Sequence, residues 1–416
     1  MSEANQIQDP WSIPLEKIDV SESSRFGNDS QGPFFERLRK EDPVHYCAES
    51  INGPYWSVTR FHDIKAVDTN HDVYSSEPSI VISDVDAEPE IQIENFISMD
   101  PPRHDEQRKT VSPSTAPSNL ARLEPLIRER VEDILDNLPV GETFNWVDKV
   151  SIELTARMLA TLFDFPYEGR RKLVYWSDIT TASPLLMGEA GISAEIRAKE
   201  LGKCVETFAE LWMERAAQEP RFDLISMLAH GETTKDMLSR PAEFMGNILL
   251  LIVGGNDTTR NSISGGVVAL NQFPDQYEKL RANPGLIPNM VPEIIRWQSP
   301  VIHMRRTATR DTELGGKKIK KGDKVVMWYL SGNRDEEIFE NPDKLIIDRH
   351  NARAHVAFGY GIHRCMGNRL AEMQLRVLWE EITKRYRWIE MVGSPTRLPN
   401  NFIRGIADVP VRLHPV

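Results

Sequence analysis

The sequence is poor in cysteine, with three in 416 residues: Cys47, Cys204 and Cys365, no two of them close enough for a Cys-x-x-Cys pair. That excludes a disulfide framework as the organising principle and makes a reducing compartment the expectation. Positive charge is not in surplus either. Acids exceed bases by 62 to 50, a net charge of -12, so a general polyanion binder is excluded, nucleic acid is not an expected partner, and any basic function must be local. Long apolar runs are missing too. The most apolar stretch, Ile248 to Val253, falls far short of the roughly 18 residues of a membrane span. Met1 to Leu15 is polar, with acids and prolines, and lacks the basic start and apolar stretch of a signal peptide. A soluble, cytoplasmic protein is therefore expected. No Gly-x-x-x-x-Gly-Lys, His-Glu-x-x-His or Gly-x-Ser-x-Gly occurs, which removes the simplest phosphate-loop, zinc-protease and serine-hydrolase readings.

What is present is an ordered globular chain. Apolar residues make up 40% and charged residues 27%, with no low-complexity tract, linker or repeat. Period-3.6 patterns over Leu120 to Leu138, Val150 to Phe163, Ile192 to Gln218 and Pro241 to Gln272 predict helices. The last would be about 45 Å long, enough to cross a domain. Strand signals are short. Tyr55 to Thr59, two runs around Gly315-Gly316 that read as a hairpin, Val325 to Tyr329, and a closing edge strand at Pro410 to Leu413 complete the pattern. The fold class is mainly α (α+β): a helical body with small peripheral sheets.

Cys365 lies in Phe358-Gly359-Tyr360-Gly361-Ile362-His363-Arg364-Cys365-Met366-Gly367, directly before a helical pattern running to about Arg385. Free N–H groups and the dipole at a helix start favour thiolate over thiol, and Arg364 and His363 add positive charge. Gly361 and Gly367 either adopt positive φ or let the backbone approach a flat ligand. Cys47 and Cys204 read as buried small hydrophobes. The segment around Cys365 resembles the cysteine loop of the cytochromes P450, the heme-thiolate monooxygenases, and fills its slots at Phe358, Gly359, Gly361, His363, Cys365 and Gly367.

Other segments carry the same resemblance in the family's order. Glu293-Ile294-Ile295-Arg296 matches its Glu-x-x-Arg, with Arg349 as the third member of a buried structural triad. Asp100 to Arg108 resembles its Pro-x-His-x-x-x-Arg segment. The resemblance makes His104, Arg108, His363 and Arg306, with Arg305 as a competitor, the partners of heme propionates. Gly254-Gly255-Asn256-Asp257-Thr258-Thr259 matches the oxygen-binding stretch. Two glycines inside a helix cost about 1 kcal/mol each relative to alanine, so they ask for a reason: a small residue lets a cofactor lie against the backbone. Thr258 is placed to bond back one turn and open the helix.

The resemblance spans essentially the whole chain and implies a single heme domain, 1–416, with heme b held by Cys365, and Phe358, Gly254 and Gly367 against it. It implies insertion of one atom of dioxygen into a C–H bond, because thiolate ligation favours O–O cleavage, with Thr258 and Asp257 handling protons. Electrons would come from a [2Fe-2S] ferredoxin and an NAD(P)H-dependent ferredoxin reductase. Between Arg349 and Arg376 stand five arginines and three histidines against one acid, Glu372; Arg353, Arg364, Arg369 and Arg376 are the candidate docking patch. Within the family, Met304 to Asp311, Ser331 to Glu336 and His363 to Gln374 are similar to the bacterial terminal hydroxylases of alkanes and fatty acids. Terpene or steroid-like substrates, and peroxygenase or isomerase chemistry, are the alternatives. The expected pocket is apolar and drawn from Ile82, Ile97, Leu186, Leu250, Val253, Ile302 and Phe402, with the stretch Ile80 to Ile97 as an access loop. A monomer is expected.

Overall fold

In a computed structural model the described residues are 9–84, 91 and 93–416. Residues 85–90 and 92, part of the expected access loop, lie outside them. Helix accounts for 55% of the chain and the sheets are small and separate, as the sequence pattern predicts. The helices that position the site are α1 (Phe61–Asp68), α2 (Arg103–Val111), α3 (Pro117–Asp136), α4 (Glu153–Phe163), α5 (Arg170–Thr181), α6 (Ala194–Ala216), α7 (Leu224–His230), α8 (Pro241–Gln272), α9 (Ile287–Gln298) and α10 (Asn368–Arg385).

Helix α8 takes the bounds its periodicity predicts, with Pro241 at a first-turn position where its missing N–H costs nothing. It is apolar on several faces because it runs through two cores. Its C-terminal half packs with α3, α9, α10 and the start of α4 through Ile263, Val267, Leu270, Ile294 and Leu378. Its N-terminal half packs with α4 to α7 through Phe244, Ile248, Ile252, Leu159, Phe208 and Leu228. Leu159, Phe208, Ile248 and Ile252 are each 1% exposed or less. At roughly 2 kcal/mol for burying each large aliphatic or aromatic side chain, this stripe outweighs the low helix propensity of its glycines.

A five-stranded sheet has the order β1 (Val44–Cys47), β2 (Tyr55–Val58), β8 (Lys324–Met327), β5 (Met304–Ala308), β3 (Tyr74–Ser75). Only β2 and β8 pair in parallel. Strands β6 (Thr312–Leu314) and β7 (Lys317–Ile319) form the expected hairpin, and Gly315 and Gly316 both take positive φ, 54° and 76°, as a two-residue turn of this kind requires. β10 (Thr396–Arg397) pairs with β11 (Ile406–Asp408). One expectation is corrected. Strand β12 (Pro410–Pro415) is not an edge: it lies between β4 (Phe144–Asn145) and β9 (Tyr386–Met391). Val411 and Leu413 face the core while Pro410 sits at the strand start, where a missing donor is tolerated. Among the described residues no helix is long and apolar enough to cross a membrane.

Candidate functional site

A cavity of about 230 Å³ opens between the middle of α8 and the loop before α10. On one side it presents His363, Cys365, Gly367, Phe358 and Leu370; on the other Gly254, Gly255, Thr258, Leu250 and Leu251; Arg108 and Arg306 reach it from α2 and β5.

Local chemistry shapes the cysteine loop. Gly359 and Gly361 both take φ of 65°, a conformation closed to most side chains, and a Cβ on Gly361 would fall 2.3 Å from the Asp68 carbonyl oxygen. The Cys365 N–H donates to the Phe358 carbonyl at 2.8 Å and closes the turn. Of the two roles open to Gly367, positive φ is not the one it takes: its φ is -85° at the N-cap of α10. Its role is spatial: nothing lies within 4 Å of a Cβ placed there. Cys365 is enclosed by the fold yet solvent-accessible, because the cavity is what exposes it. Burial pushes its thiol pKa up, while the Gly367 and Asn368 N–H groups and the Arg108 and Arg364 guanidiniums pull it back toward thiolate. His363 does not help. Burial drives its pKa down to about 2, so the imidazole is neutral and the charge assigned to it from sequence is absent.

The polar groups behind the loop are conspicuously unpaired. His363 is buried with neither ring nitrogen partnered, and Nε2 of His104 is likewise buried and unpartnered. The two rings meet edge-on at 4.3 Å, and His104 Nδ1 contacts Asp105 at 2.8 Å. His104 does not itself line the cavity; His363 does. Arg108 donates from Nη2 to the Arg364 carbonyl at 2.6 Å. Arg306 donates to Asp68 at 2.8 Å and to the Arg305 carbonyl. Arg305 points elsewhere, to the Ser83 carbonyl and Asp84, which decides between the two arginines in favour of Arg306 as the one facing the cavity. Asp68, unforeseen from sequence, also accepts from Tyr329 Oη at 2.9 Å and Tyr360 N at 2.7 Å. One buried carboxylate thus joins α1, β5 and the cysteine loop. Unpaired buried polar atoms are costly, and those facing this cavity suit a ligand that brings carboxylates of its own.

The two glycines of α8 divide the work. A Cβ on Gly254 would meet nothing within 4 Å, whereas one on Gly255 would sit 2.7 Å from Leu159 Cδ2. Both glycines line the cavity, but only at Gly254 is the place of a side chain open; at Gly255 it is taken by Leu159. Thr258 Oγ1 donates to the Gly254 carbonyl at 3.1 Å, one turn back. Asp257 is buried; its Oδ1 accepts from Asn256 and, at 2.7 Å, from Arg260, while Oδ2 has no partner. Arg260 also pairs with the half-exposed Asp178 of α5 at 2.8 Å. Burial raises the Asp257 pKa to about 6 despite Arg260.

Glu293, Arg296 and Arg349 converge with no water access. Arg296 donates to both Glu293 oxygens at 2.7 and 2.8 Å, Arg349 Nε to both at 3.1 Å, and spare donors go to the carbonyls of Asn333, Lys344 and Glu340. The proposed surface patch is smaller than expected. Arg353 is neutralised by Glu372 at 3.0 Å and Arg376 by Glu124 and Glu380 at 2.7 and 2.8 Å, which leaves Arg364 and Arg369 exposed and without an ion-pair partner among the described residues.

Of the expected substrate contacts, Ile97 and Leu250 line the cavity. The other five do not. Ile82 and Ile302 are fully buried with Trp328 and Phe35 in a separate core, Leu186 and Phe402 pack with Ile403 behind Val301 and Met304, and Val253 is half-buried away from the lining. Phe96, Leu251, Val301 and Met304 take their places. An apolar residue reads the same in core and cavity wall, so sequence pattern does not separate them.

A family model for cytochrome P450 matches residues 285–411. Linalool 8-monooxygenase of Pseudomonas putida is 37% identical over 410 residues, covering 96% of this chain and all of that one. Methyl-branched lipid omega-hydroxylase of Mycobacterium tuberculosis is 30% identical over 417 residues, 97% of this chain and 96% of that one. The solved structure of cytochrome P450-153 from Novosphingobium aromaticivorans is 46% identical, with a TM-score of 0.89 over 98% of this chain and 100% of that one.

Proposed function

The chain belongs to the cytochrome P450 family and is a heme-thiolate monooxygenase, and from that premise we propose that it hydroxylates the terminal carbon of medium-chain alkanes or fatty acids, with electrons from a ferredoxin. The observation that carries the substrate reading is the wall of Phe96, Ile97, Leu250, Leu251, Val301 and Met304 standing across one cavity from Cys365. It offers aliphatic and aromatic surface with no charged side chain, which suits a hydrocarbon chain, and confining a chain end is what attack at a strong terminal C–H bond requires. The similarity to an omega-hydroxylase of a lipid supports the same position of attack. A terpenoid is the second reading, favoured by the greater identity to linalool 8-monooxygenase.

The residues present fit heme b. Cys365 Sγ would hold the iron, Gly254 and Gly367 leave space for a flat macrocycle, and Arg108, Arg306 and His363 would meet its carboxylates, with His104 packed edge-on behind His363. Phe358 lines the same cavity. When bound, the heme supplies dioxygen activation, and cysteine ligation favours O–O cleavage. The remaining work belongs to the chain. Thr258 Oγ1 holds a hydroxyl at the cavity wall and Asp257 Oδ2, unpartnered and titrating near 6, holds the proton. Arg260 cannot give up its proton; it fixes Asp257 against Asp178. The apolar wall keeps bulk water from the reacting carbon. Glu293, Arg296 and Arg349 brace the backbone at Asn333, Glu340 and Lys344, and Asn333 Oδ1 accepts the Val356 N–H two residues before Phe358. The unit is one heme domain over 1–416, a reading supported by α8 lying in both cores. Arg364 and Arg369 are the free cations for an acidic ferredoxin, itself reduced by an NAD(P)H-dependent reductase.

The test is the carbon monoxide difference spectrum of the reduced protein, then turnover of alkanes, fatty acids and terpenes with a ferredoxin system. A strongly red-shifted band, lost in Cys365→Ser, and ω-alcohols from linear chains are expected. Oxidation of terpenes alone would overturn the chain reading in favour of the second.

A further inference from the structure

Beside the cavity, but outside its lining, three buried polar side chains sit together against an apolar core. Gln107 of α2 is 4% exposed, Glu243 of α8 3% and Asn247 of α8 0%. Gln107 Nε2 donates to Glu243 Oε1 at 2.8 Å; Asn247 Nδ2 donates to Gln107 Oε1 at 3.0 Å and to the Glu243 carbonyl at 3.1 Å. Asn247 Oδ1 then accepts the Phe96 N–H at 3.1 Å. The orientation of the Asn247 amide follows from its neighbours, since a backbone N–H needs the oxygen and Gln107 offers an acceptor to the nitrogen. The remaining Glu243 oxygen is held by Arg103 at 3.3 Å and Arg240 at 3.2 Å.

A polar group at 0% exposure is kept only where its bonds are made. Here those bonds run between elements. Asn247 lies one turn before Leu250 and Leu251, and the segment it grips carries Phe96 and Ile97; all four line the cavity. Gln107 is next to Arg108, which lines it too. The approach is close by design of the sequence: the Glu94 N–H donates to the Ala242 carbonyl at 3.1 Å, and a Cβ on Gly246 would collide with the Glu94 carbonyl oxygen at 2.0 Å. Only glycine lets the segment lie flat on α8. Apolar packing within this cluster is non-directional, whereas a hydrogen bond fixes the register of the segment along the helix.

We infer that Asn247, oriented by Gln107 and Glu243, is a positioning residue for substrate selectivity: it sets where Phe96 and Ile97 stand above the cavity and so which carbon of the substrate is presented. This rests on the reading of that cavity as the substrate pocket. A wall displaced by an ångström changes which C–H bond is confined, with no change in the groups that handle electrons or protons.

The test uses the holoenzyme and the near-isosteric Asn247→Leu, which removes the acceptor for Phe96. Amide hydrogen exchange of the 93–99 peptide is measured without substrate. Loss of a buried hydrogen bond is expected to speed exchange of the Phe96 amide by about fivefold or more. Product analysis on a linear fatty acid is expected to move the ratio of terminal to subterminal alcohol by a comparable factor, with the rate of first-electron reduction unchanged. A merely structural role would lower the melting temperature and leave that ratio alone. Wild-type exchange at Phe96, or faster exchange with an unaltered product ratio, overturns the inference. If Asn247→Leu does not fold, Gln107→Leu leaves Asn247 in place but frees its amide, and the same two measurements decide. Should the wild type give no terminal alcohol, the chain-hydroxylase reading fails, while the exchange result, and the product ratio on whichever substrate turns over, still decide the role of Asn247.

Discussion

The buried carboxyl of Asp257 makes the protein's stability depend on pH in a calculable way. Its folded pKa is about 6 against an ordinary 3.8, so the folded state binds the proton more tightly than the unfolded chain does. Ionising it in place costs about 3 kcal/mol at 1.36 kcal/mol per pKa unit. That penalty is absent below about pH 3.8, grows through about pH 6 and is complete above it. Asp257→Asn keeps an oxygen for Asn256 and Arg260 but never ionises. Losing the charge partner of Arg260 displaces the whole curve, whereas the pH-dependent part of the difference between the two proteins belongs to Asp257. About 2 of the 3 kcal/mol fall between about pH 4.5 and about pH 8. With unfolding entropy of roughly 2.1 cal/mol/K per residue, 416 residues give about 0.9 kcal/mol/K, so the wild-type melting temperature should fall relative to the variant by about 2 °C over that range and then level. Thermal melts at a series of pH values, read as the difference between the two proteins, measure this. A difference that stays flat from about pH 4.5 to about pH 8 would refute the assignment of a raised pKa to Asp257, and one that rises with pH would reverse its sign.

Removing the hydroxyl in Thr258→Ala should divert reducing equivalents to hydrogen peroxide, read as NADH consumed per alcohol formed. Glu293→Gln leaves two buried guanidiniums without a counter-charge and should cost about 3 to 5 kcal/mol, measured by urea unfolding together with heme retained per chain. Gly254→Ala should leave stability level or up to about 1 kcal/mol higher, since its methyl meets nothing, yet perturb the heme Soret band; Gly255→Ala, pressed on Leu159, should do the converse. Arg364→Glu and Arg369→Glu should raise the KM for ferredoxin severalfold, and Arg353→Glu less, because Glu372 already neutralises Arg353.

The parts of this architecture legible in the sequence are those whose chemistry is local. The cysteine loop, Gly254 to Thr259 and Glu293 to Arg296 are contiguous, so their residues announce one another, and α8 is bounded by Pro241 and its own periodicity. What escaped is long-range. Asp68 meets Arg306, Tyr329 and Tyr360 across 238, 261 and 292 residues, and Asn247 meets Gln107 across 140; no window of sequence holds both partners. Charge read within a window misled for the same reason, since Arg376 is neutralised by Glu124 from α3. Hydrophobicity misled at Ile82 and Ile302 because it reports burial and not what lies on the far side of the side chain.

The Asp68 joint bears on the order in which the molecule can be assembled. Its three partners emerge from the ribosome long after Asp68 itself, and each must wait for closure of a loop of more than two hundred residues, an entropic cost met only once the intervening helices have condensed. Gly361, pressed against the Asp68 backbone, cannot settle sooner. The cysteine loop is therefore shaped by contacts drawn from nearly the whole chain, and its geometry answers to a residue 292 positions away from Tyr360.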